Sequence, residues 1–279
     1  MPALHKCALA ALAAALLAAA CASAQRLPDS KSTAALDKIL ASEQRPDADR
    51  ARDAYRHPKE TLQFFGLRPQ MQVVEIWPEP GWYTQIIAPF VKDAGKYYAA
   101  IIAPRADSPY TSARIKAYQD RYAANPEIYG KMVLTNFAKD ARNIAPAGSV
   151  DMVLTFRNIH NWMAADWAPE AFAAMYKALK PGGILGVVEH RGNPDLPQDP
   201  KAKSGYVRED YAIRLIESQG FALVAQSEIN ANPKDTKDYP QGVWTLPPVY
   251  RLGDKDKDTY AAIGESDRFT LKFVKPKSK

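Results

Sequence analysis

Two histidines sit where an imidazole could move a proton, one in Arg157-Asn158-Ile159-His160-Asn161-Trp162 and one in Glu189-His190-Arg191. Histidine's ordinary pKa lies near neutrality, so either ring could take a proton from an attacking atom, with Arg157, Asn158 and Asn161 placed to orient the molecule that carries it. Each histidine follows an apolar run, SVDMVLTF and ILGVVE, of the kind that forms a buried strand. A third cluster follows a similar run in VVEIWPEPGWYT, where Glu75 precedes Trp77, Glu79, Pro80, Gly81, Trp82, Tyr83 and Thr84. Trp77, Trp82, Tyr83 and Trp162 could surround a cation or stack on a flat ring. Each residue also has a structural use: the histidines can satisfy strand-end hydrogen bonds, the tryptophans can fill a core, and Glu75 can cap the next helix. His57, His160, His190 and Glu189 are metal-ligand types. No His-x-x-x-His or comparable spacing joins them, so no metal is expected.

The elements that must position these clusters alternate along the chain. QVVEIW, KYYAAII, KMVLTNF, SVDMVLTFR and GILGVVEH read as strands, and YTQIIAPFVKDAG, TSARIKAYQDRYAA, DWAPEAFAAMYKALK and REDYAIRLIESQGF as helices. His57-Pro58 starts an earlier helix that Gly66 ends. Several strands are apolar on both faces, as parallel strands covered by helices are, so the pattern predicts a doubly wound, mostly parallel α/β sheet. Ligands of such sheets bind beyond the carboxyl ends of the strands. The clusters at 75–84, 103–107, 136–137, 157–162 and 189–191 all fall there. The last two strands, ALVAQSEI and RFTLKFVK, lack an intervening helix pattern. The second alternates Phe269, Leu271 and Phe273 with Thr270 and Lys272, which predicts a half-exposed, antiparallel strand near the sheet edge. The long connection from Asn230 to Ser266 between them is of the length that forms lids and binding loops. GESDR, with Glu265, Asp267 and Arg268, is placed to pin its return with ion pairs.

The chain of 279 residues opens with Lys6, an apolar run from Ala8 to Ala20, and Ala22-Ser23-Ala24 before Gln25. These are the parts of a secretory signal over residues 1–24, too short in its apolar run for a membrane span. Residues 25–52 form a polar arm, and 53–279 one α/β domain with the insertion at 230–266. Cleavage after Ala24 removes both cysteines, Cys7 and Cys21, leaving no thiol for a disulfide or a nucleophile. Periplasmic or secreted placement follows, with a lipid anchor at Cys21 in LAAAC as the alternative. The net charge of +6 is interleaved, as in GDKDKDTY, and forms no basic stripe for nucleic acid.

VVEIWPEPGWYT, SVDMVLTFRNIHNW and ALKPGGILGVVEHR, in this order and spacing, resemble class I S-adenosylmethionine-dependent methyltransferases, most closely a group of exported bacterial ones. The resemblance runs from about Arg52 to GESDRFTLKF. It implies a Rossmann-like methyltransferase fold of seven strands, the last antiparallel, and S-adenosylmethionine as cofactor. It also implies that Glu75 organises the first loop and that Gly81 is that loop's last glycine. Trp77, Trp82, Tyr83, Thr84, Asp107 and Arg157 are the further candidates for holding the cofactor, and His160, then His190, with Asn158, for catalysis. Two departures stand out. Trp77, Glu79 and Pro80 replace residues that are glycine or small, and IIAPRAD lacks the acid expected at the end of the second strand for the ribose. Either Asp107 reaches back, or the ribose is held differently, or the cofactor is not held. The expected activity is methyl transfer to a small or envelope-associated acceptor. The alternative is a non-catalytic exported binding protein on a degenerate methyltransferase fold. A nicotinamide dehydrogenase would need Gly-x-Gly-x-x-Gly, which IWPEPGW does not supply.

Overall fold

The computed structural model describes residues 30–103 and 108–277. The signal expected over residues 1–24, Cys21 and Asp107 lie outside the described residues. Four helices lead in: α1 (Ser30–Leu40), α2 (Asp47–Arg50), α3 (Asp53–Arg56) and α4 (Pro58–Phe65). Proline opens α4 where its missing N–H has no intrahelical partner to lose, and Gly66, at φ 83°, closes it with bonds back to Leu62 and Gln63.

The alternation then runs β1 (Gln72–Ile76), α5 (Thr84–Val91), β2 (Lys96–Ile102), α6 (Pro109–Ala123), α7 (Pro126–Tyr129), β3 (Val133–Phe137) and β4 (Val150–Phe156). It continues with α8 (Ile159–Ala164), α9 (Ala168–Ala178), β5 (Leu179–His190), α10 (Glu209–Glu217), β6 (Ala222–Ser227), α11 (Lys257–Ile263) and β7 (Arg268–Val274). One seven-stranded sheet results, in the order β3-β2-β1-β4-β5-β7-β6. Strands β1 to β5 pair in parallel, and β7 is antiparallel to both β5 and β6. The strand order reverses between β1 and β4, and it is beyond the carboxyl ends of strands at such a reversal that sheets of this kind bind ligands. No helix of the described residues is long and apolar enough to cross a membrane.

Side chains alternate across each strand and feed two cores, one on each face. Val74, Ile76, Phe137, Trp162, Phe172 and Leu271 pack on one side. Phe65, Val73, Ile86, Tyr97, Met152 and Leu154 pack on the other.

The last strand is antiparallel and next to the sheet edge, as expected, but it is not half-exposed: β7 lies between β5 and β6, and all six residues from Arg268 to Phe273 are buried. Its alternating polar side chains are covered rather than solvated. Lys272 Nζ donates to the Phe64 carbonyl at 3.2 Å, and Asn230 Nδ2 donates to Thr270 Oγ1 at 2.9 Å and Thr61 Oγ1 at 3.0 Å. β6 takes the edge, where Val224 is exposed.

Helix α4 sits directly on β5 at Gly186, where a Cβ would lie 2.6 Å from Leu154 Cδ2 and 2.8 Å from Phe65 Cγ. Neither neighbour can retreat, since both are fully buried. Gly186→Ala is therefore expected to cost about 1–3 kcal/mol through overpacking. Urea unfolding should show a lower midpoint with an unchanged slope, and a wild-type midpoint would mean that α4 can shift freely.

Candidate functional site

The loop after β1 keeps a glycine-like path without the glycine. Trp77 stands at φ 47°, a left-handed conformation that costs a bulky residue about 1–2 kcal/mol. Its backbone N–H donates to Ala100 at 2.9 Å, its indole N–H donates to the Phe137 carbonyl at 2.8 Å, and its ring packs on Phe137, Trp162 and Trp167. Those contacts hold the turn. Gly81, at φ 101°, is required by a neighbour: a Cβ there would lie 1.9 Å from the Tyr122 hydroxyl, which donates to the Gly81 carbonyl at 2.8 Å.

Between them, Glu79 turns its carboxylate to the end of β2. Oε1 accepts from the Ile102 N–H at 3.0 Å, while Oε2 is buried and has no hydrogen-bond partner among the described residues. Burial raises its pKa.

Glu75 faces inward beneath this loop. Its Oε2 accepts from the Tyr97 hydroxyl at 2.6 Å and from Thr84 Oγ1 at 3.3 Å, and Thr84 also meets the Tyr118 hydroxyl at 3.1 Å. Burial pushes the Glu75 carboxyl up to about 8 against the pull of those two hydrogen bonds. Tyr83 stacks on Phe156 with ring centroids 3.6 Å apart, and the guanidiniums of Arg45 and Arg56 lie 5.4 and 4.7 Å from the centre of the Trp82 ring. The four aromatic residues do not converge on one cage. Trp77 and Trp162 belong to the core on one sheet face, Trp82 and Tyr83 to that on the other.

The histidines do converge. At the end of β5, Glu189 is fully buried; its Oε2 accepts from the Ile159 N–H at 2.6 Å, and its Oε1 from the His190 N–H at 2.9 Å and from His160 Nδ1 at 3.1 Å. A carboxylate accepting from Nδ1 fixes the tautomer and leaves His160 Nε2 as the acceptor. The His190 ring lies 5.5 Å from that of His160, and its Nδ1 bonds Ser266 Oγ at 2.6 Å. Burial, then His160 and Arg157, hold the His190 imidazole well below its ordinary pKa. Asn158 is spent on structure: its Nδ2 donates to the Ile76 carbonyl at 3.0 Å and to Thr155 Oγ1 at 3.2 Å, stitching the end of β4 to that of β1.

The connection from Asn230 to Ser266 closes this cluster. Trp244 meets His160 edge-on at 5.9 Å, and Asp235 accepts from the Tyr206 hydroxyl, whose ring packs beside His190. GESDR anchors the return, as its ion-pair chemistry predicts. Glu265 binds Arg52 at 2.6 Å, Arg56 at 3.0 Å and Arg268 at 3.2 Å, and Asp267 binds Lys237 at 3.0 Å. Arg157, at φ 62° beyond β4, completes a group of four guanidiniums around Glu265.

The structure thus joins His160, His190, Glu189 and Arg157 of the sequence candidates. It adds Arg56, Arg268, Tyr206 and Trp244, of which only Arg268 lies in a motif with a local signal. His160, Glu189 and His190 each offer a donor atom within 4.8 Å of the others, a spacing that a metal ion could bridge. Both Glu189 oxygens already accept backbone N–H groups, and the neighbouring charges on His190 are guanidiniums, so these surroundings suit an anion better than a cation. A separate hollow of about 200 Å³, lined by Ala88, Tyr97, Tyr129 and Met132, opens at the start of β2, away from these strand ends.

Two buried carboxyls give stability opposite pH dependences. Glu75 is raised in the fold, so its contribution is full below its ordinary value of 4.5 and is lost as pH rises to about 8. Glu265, although burial opposes it, is held down to about 2 by Arg56, Arg268 and Arg52, so its contribution is present above 4.5 and is lost as pH falls toward 2. Thermal midpoints against pH should fall from pH 4.5 to 8 in the wild type and less steeply in Glu75→Gln. Equal slopes would contradict the buried, protonated Glu75.

No family model matches the sequence, and no curated protein does. Solved structures are similar throughout. A SAM-dependent methyltransferase from Aquifex aeolicus superposes with a TM-score of 0.55 at 14% identity, over 87% of this chain and 98% of its own. The 1,6-didemethyltoxoflavin-N1-methyltransferase of Burkholderia thailandensis, solved with S-adenosylhomocysteine, gives 0.50 at 13%, over 90% and 92%. The cyclase SpnF gives 0.55 at 14%, over 81% and 82%. With its strand order and antiparallel β7, the chain has the class I fold of S-adenosylmethionine-dependent methyltransferases.

Proposed function

We propose that this protein is an S-adenosylmethionine-dependent methyltransferase that works outside the cytoplasm on a small or envelope-associated acceptor. The observation that carries the reading is the pair of strand-end side chains with unused hydrogen-bonding capacity at the sheet's reversal point: Glu79 Oε2, buried and unbonded, and His160 Nε2, left free by Glu189. Export rests on the signal features of residues 1–24.

The residues present fit the cofactor. Glu79 brings to the end of β2 the carboxylate that IIAPRAD lacks, with Oε1 fixed by the Ile102 N–H and Oε2 left for a ribose hydroxyl. Trp77 preserves the left-handed turn that lets the chain pass beside a ligand. When bound, S-adenosylmethionine supplies a methyl group on a positively charged sulfur.

The protein's own part is alignment, exclusion of water and a proton acceptor. Trp244 and Tyr206 shield the histidines from solvent. His160, oriented through Nδ1 by Glu189, presents Nε2 to an acceptor's proton. His190, anchored on Ser266 and kept neutral, adds no positive charge beside that nitrogen. Loss of such a base typically slows turnover by about 10²–10⁴.

Calorimetric titration with S-adenosylhomocysteine tests the cofactor directly. Binding is expected, weakened about tenfold or more in Glu79→Gln. No heat at about millimolar ligand, the range of the weakest ordinary sites, would leave a non-catalytic binding protein on this fold. Equal affinity in Glu79→Gln would remove Glu79 from the ribose while leaving the cofactor in place. His160→Ala should bind S-adenosylhomocysteine as the wild type does yet form far less of it from S-adenosylmethionine when envelope extract supplies the acceptor. Parallel losses of binding and turnover would remove His160 as the base.

A further inference from the structure

Four guanidiniums, from Arg52, Arg56, Arg157 and Arg268, act on one another around a single partner, Glu265. The other nearby acids do not balance them. Glu75 is pushed up to about 8 and the Tyr83 hydroxyl to about 12, so both are neutral at pH 7. Glu189 is committed to His160 and two backbone N–H groups.

Hydrogen bonding is as uneven as charge. Arg268 is spent on Glu265, the Ser266 carbonyl and the Tyr55 carbonyl. Arg52 gives its Nε to Glu265 and keeps its side chain 23% exposed, so it is less in need of a further partner. Arg56, only 4% exposed, uses its Nε on Glu265 and lays its flat face on Trp82, while its two terminal nitrogens bond no described residue. The Arg157 guanidinium forms neither a hydrogen bond nor an ion pair with any described residue, although it is partly buried and sits on a left-handed backbone position. None of these unused nitrogens is sealed off from solvent.

A guanidinium taken from water without a partner is costly, and two that repel each other are more so. An anion with two or three coplanar or tetrahedral oxygens removes both costs, because a guanidinium edge matches it with two parallel N–H bonds. We propose that Arg157 and the free edge of Arg56 form a binding site for a carboxylate or phosphate group beside the histidine pair. The site does not depend on the methyltransferase reading. If that reading holds, the anion is either the carboxylate of the cofactor's amino-acid end or an acidic group of the acceptor.

The test uses the purified protein, with Arg157→Gln as the main variant, because the Arg157 side chain has no bond to any described residue and the substitution keeps its backbone bond to Val188. At fixed ionic strength, acetate and phosphate should raise the wild-type thermal midpoint and leave that of Arg157→Gln unmoved. Without added anions the variant should melt at or above the wild type, since it sheds an unpaired charge. Affinities for S-adenosylhomocysteine and for 5′-methylthioadenosine, which lacks the amino-acid end, then distinguish the sources. A loss of about tenfold or more for the first and none for the second assigns the anion to the cofactor. No loss for either, with anion stabilisation still dependent on Arg157, assigns it to the acceptor. Wild type that binds neither nucleoside but keeps Arg157-dependent anion stabilisation upholds the site and removes the methyltransferase reading. Anion responses equal in wild type and Arg157→Gln, with unchanged nucleoside affinities, would overturn the site.

Discussion

One carboxylate, Glu265, joins two parts of the chain that lie more than two hundred residues apart. Its oxygens bind Arg52 and Arg56 at the ends of α3 and Arg268 at the start of β7. Without it, these like charges would repel where Arg56 and Arg268 are almost wholly buried, and removal of one partner from such a buried group costs about 3–5 kcal/mol. The return of the 230–266 connection thus brings Glu265 to meet the lead-in helices, which Asp49 also ties to Trp82 and Gln85. Asp267, two residues on, ties the same return to Lys237 and, through the Asn232 N–H, to the connection's start. Lead-in, cover and last strand are one electrostatic unit.

Glu189 does for the chemistry what Glu265 does for the cover. It joins the turn into α8 to the end of β5 by backbone N–H bonds and orients His160 with the same carboxylate. Ser266, the neighbour of Glu265, orients His190. The covering segment is thus built into the histidine pair, and a displacement of the GESDR return would release His190 and remove charge compensation from Arg56 together. Coupling of this kind makes access to the crevice and the state of its titrating groups parts of one arrangement.

The sheet was legible because burial on two faces writes itself into sequence as runs such as VVEI and ILGVV, and strand ends inherit their polar residues by position. The burial of β7 is not legible because Thr270 and Lys272 alternate as a solvated face would, whereas Asn230 and the Phe64 carbonyl satisfy them in the interior. A pattern of polarity records which side chains need hydrogen bonds, not whether water supplies them. Arg56 carried no local signal. It lies in a charged stretch, YRHPKE, that reads as solvated surface, and only a partner more than two hundred residues away makes it interior. His160, His190 and Glu189 could be brought to one sheet edge from topology, but the hydrogen bond that fixes the tautomer depends on how α8 turns back over β5.

The altered loop after β1 follows from the same distinction between a backbone requirement and a side-chain one. A turn that admits a ligand needs a left-handed backbone position, and Trp77 provides it because an indole locked by Phe137, Trp162 and Trp167 repays the strain that glycine would avoid. Gly81 survives for Tyr122, whose ring leaves no room for a Cβ. Glu79 then converts a loop position into a strand-end carboxylate, placed against the Ile102 N–H where β2 supplies no acid of its own. The departures from a glycine-rich loop are therefore linked. The aromatic core carries the turn, which frees the loop's tip to place a carboxylate at the end of β2.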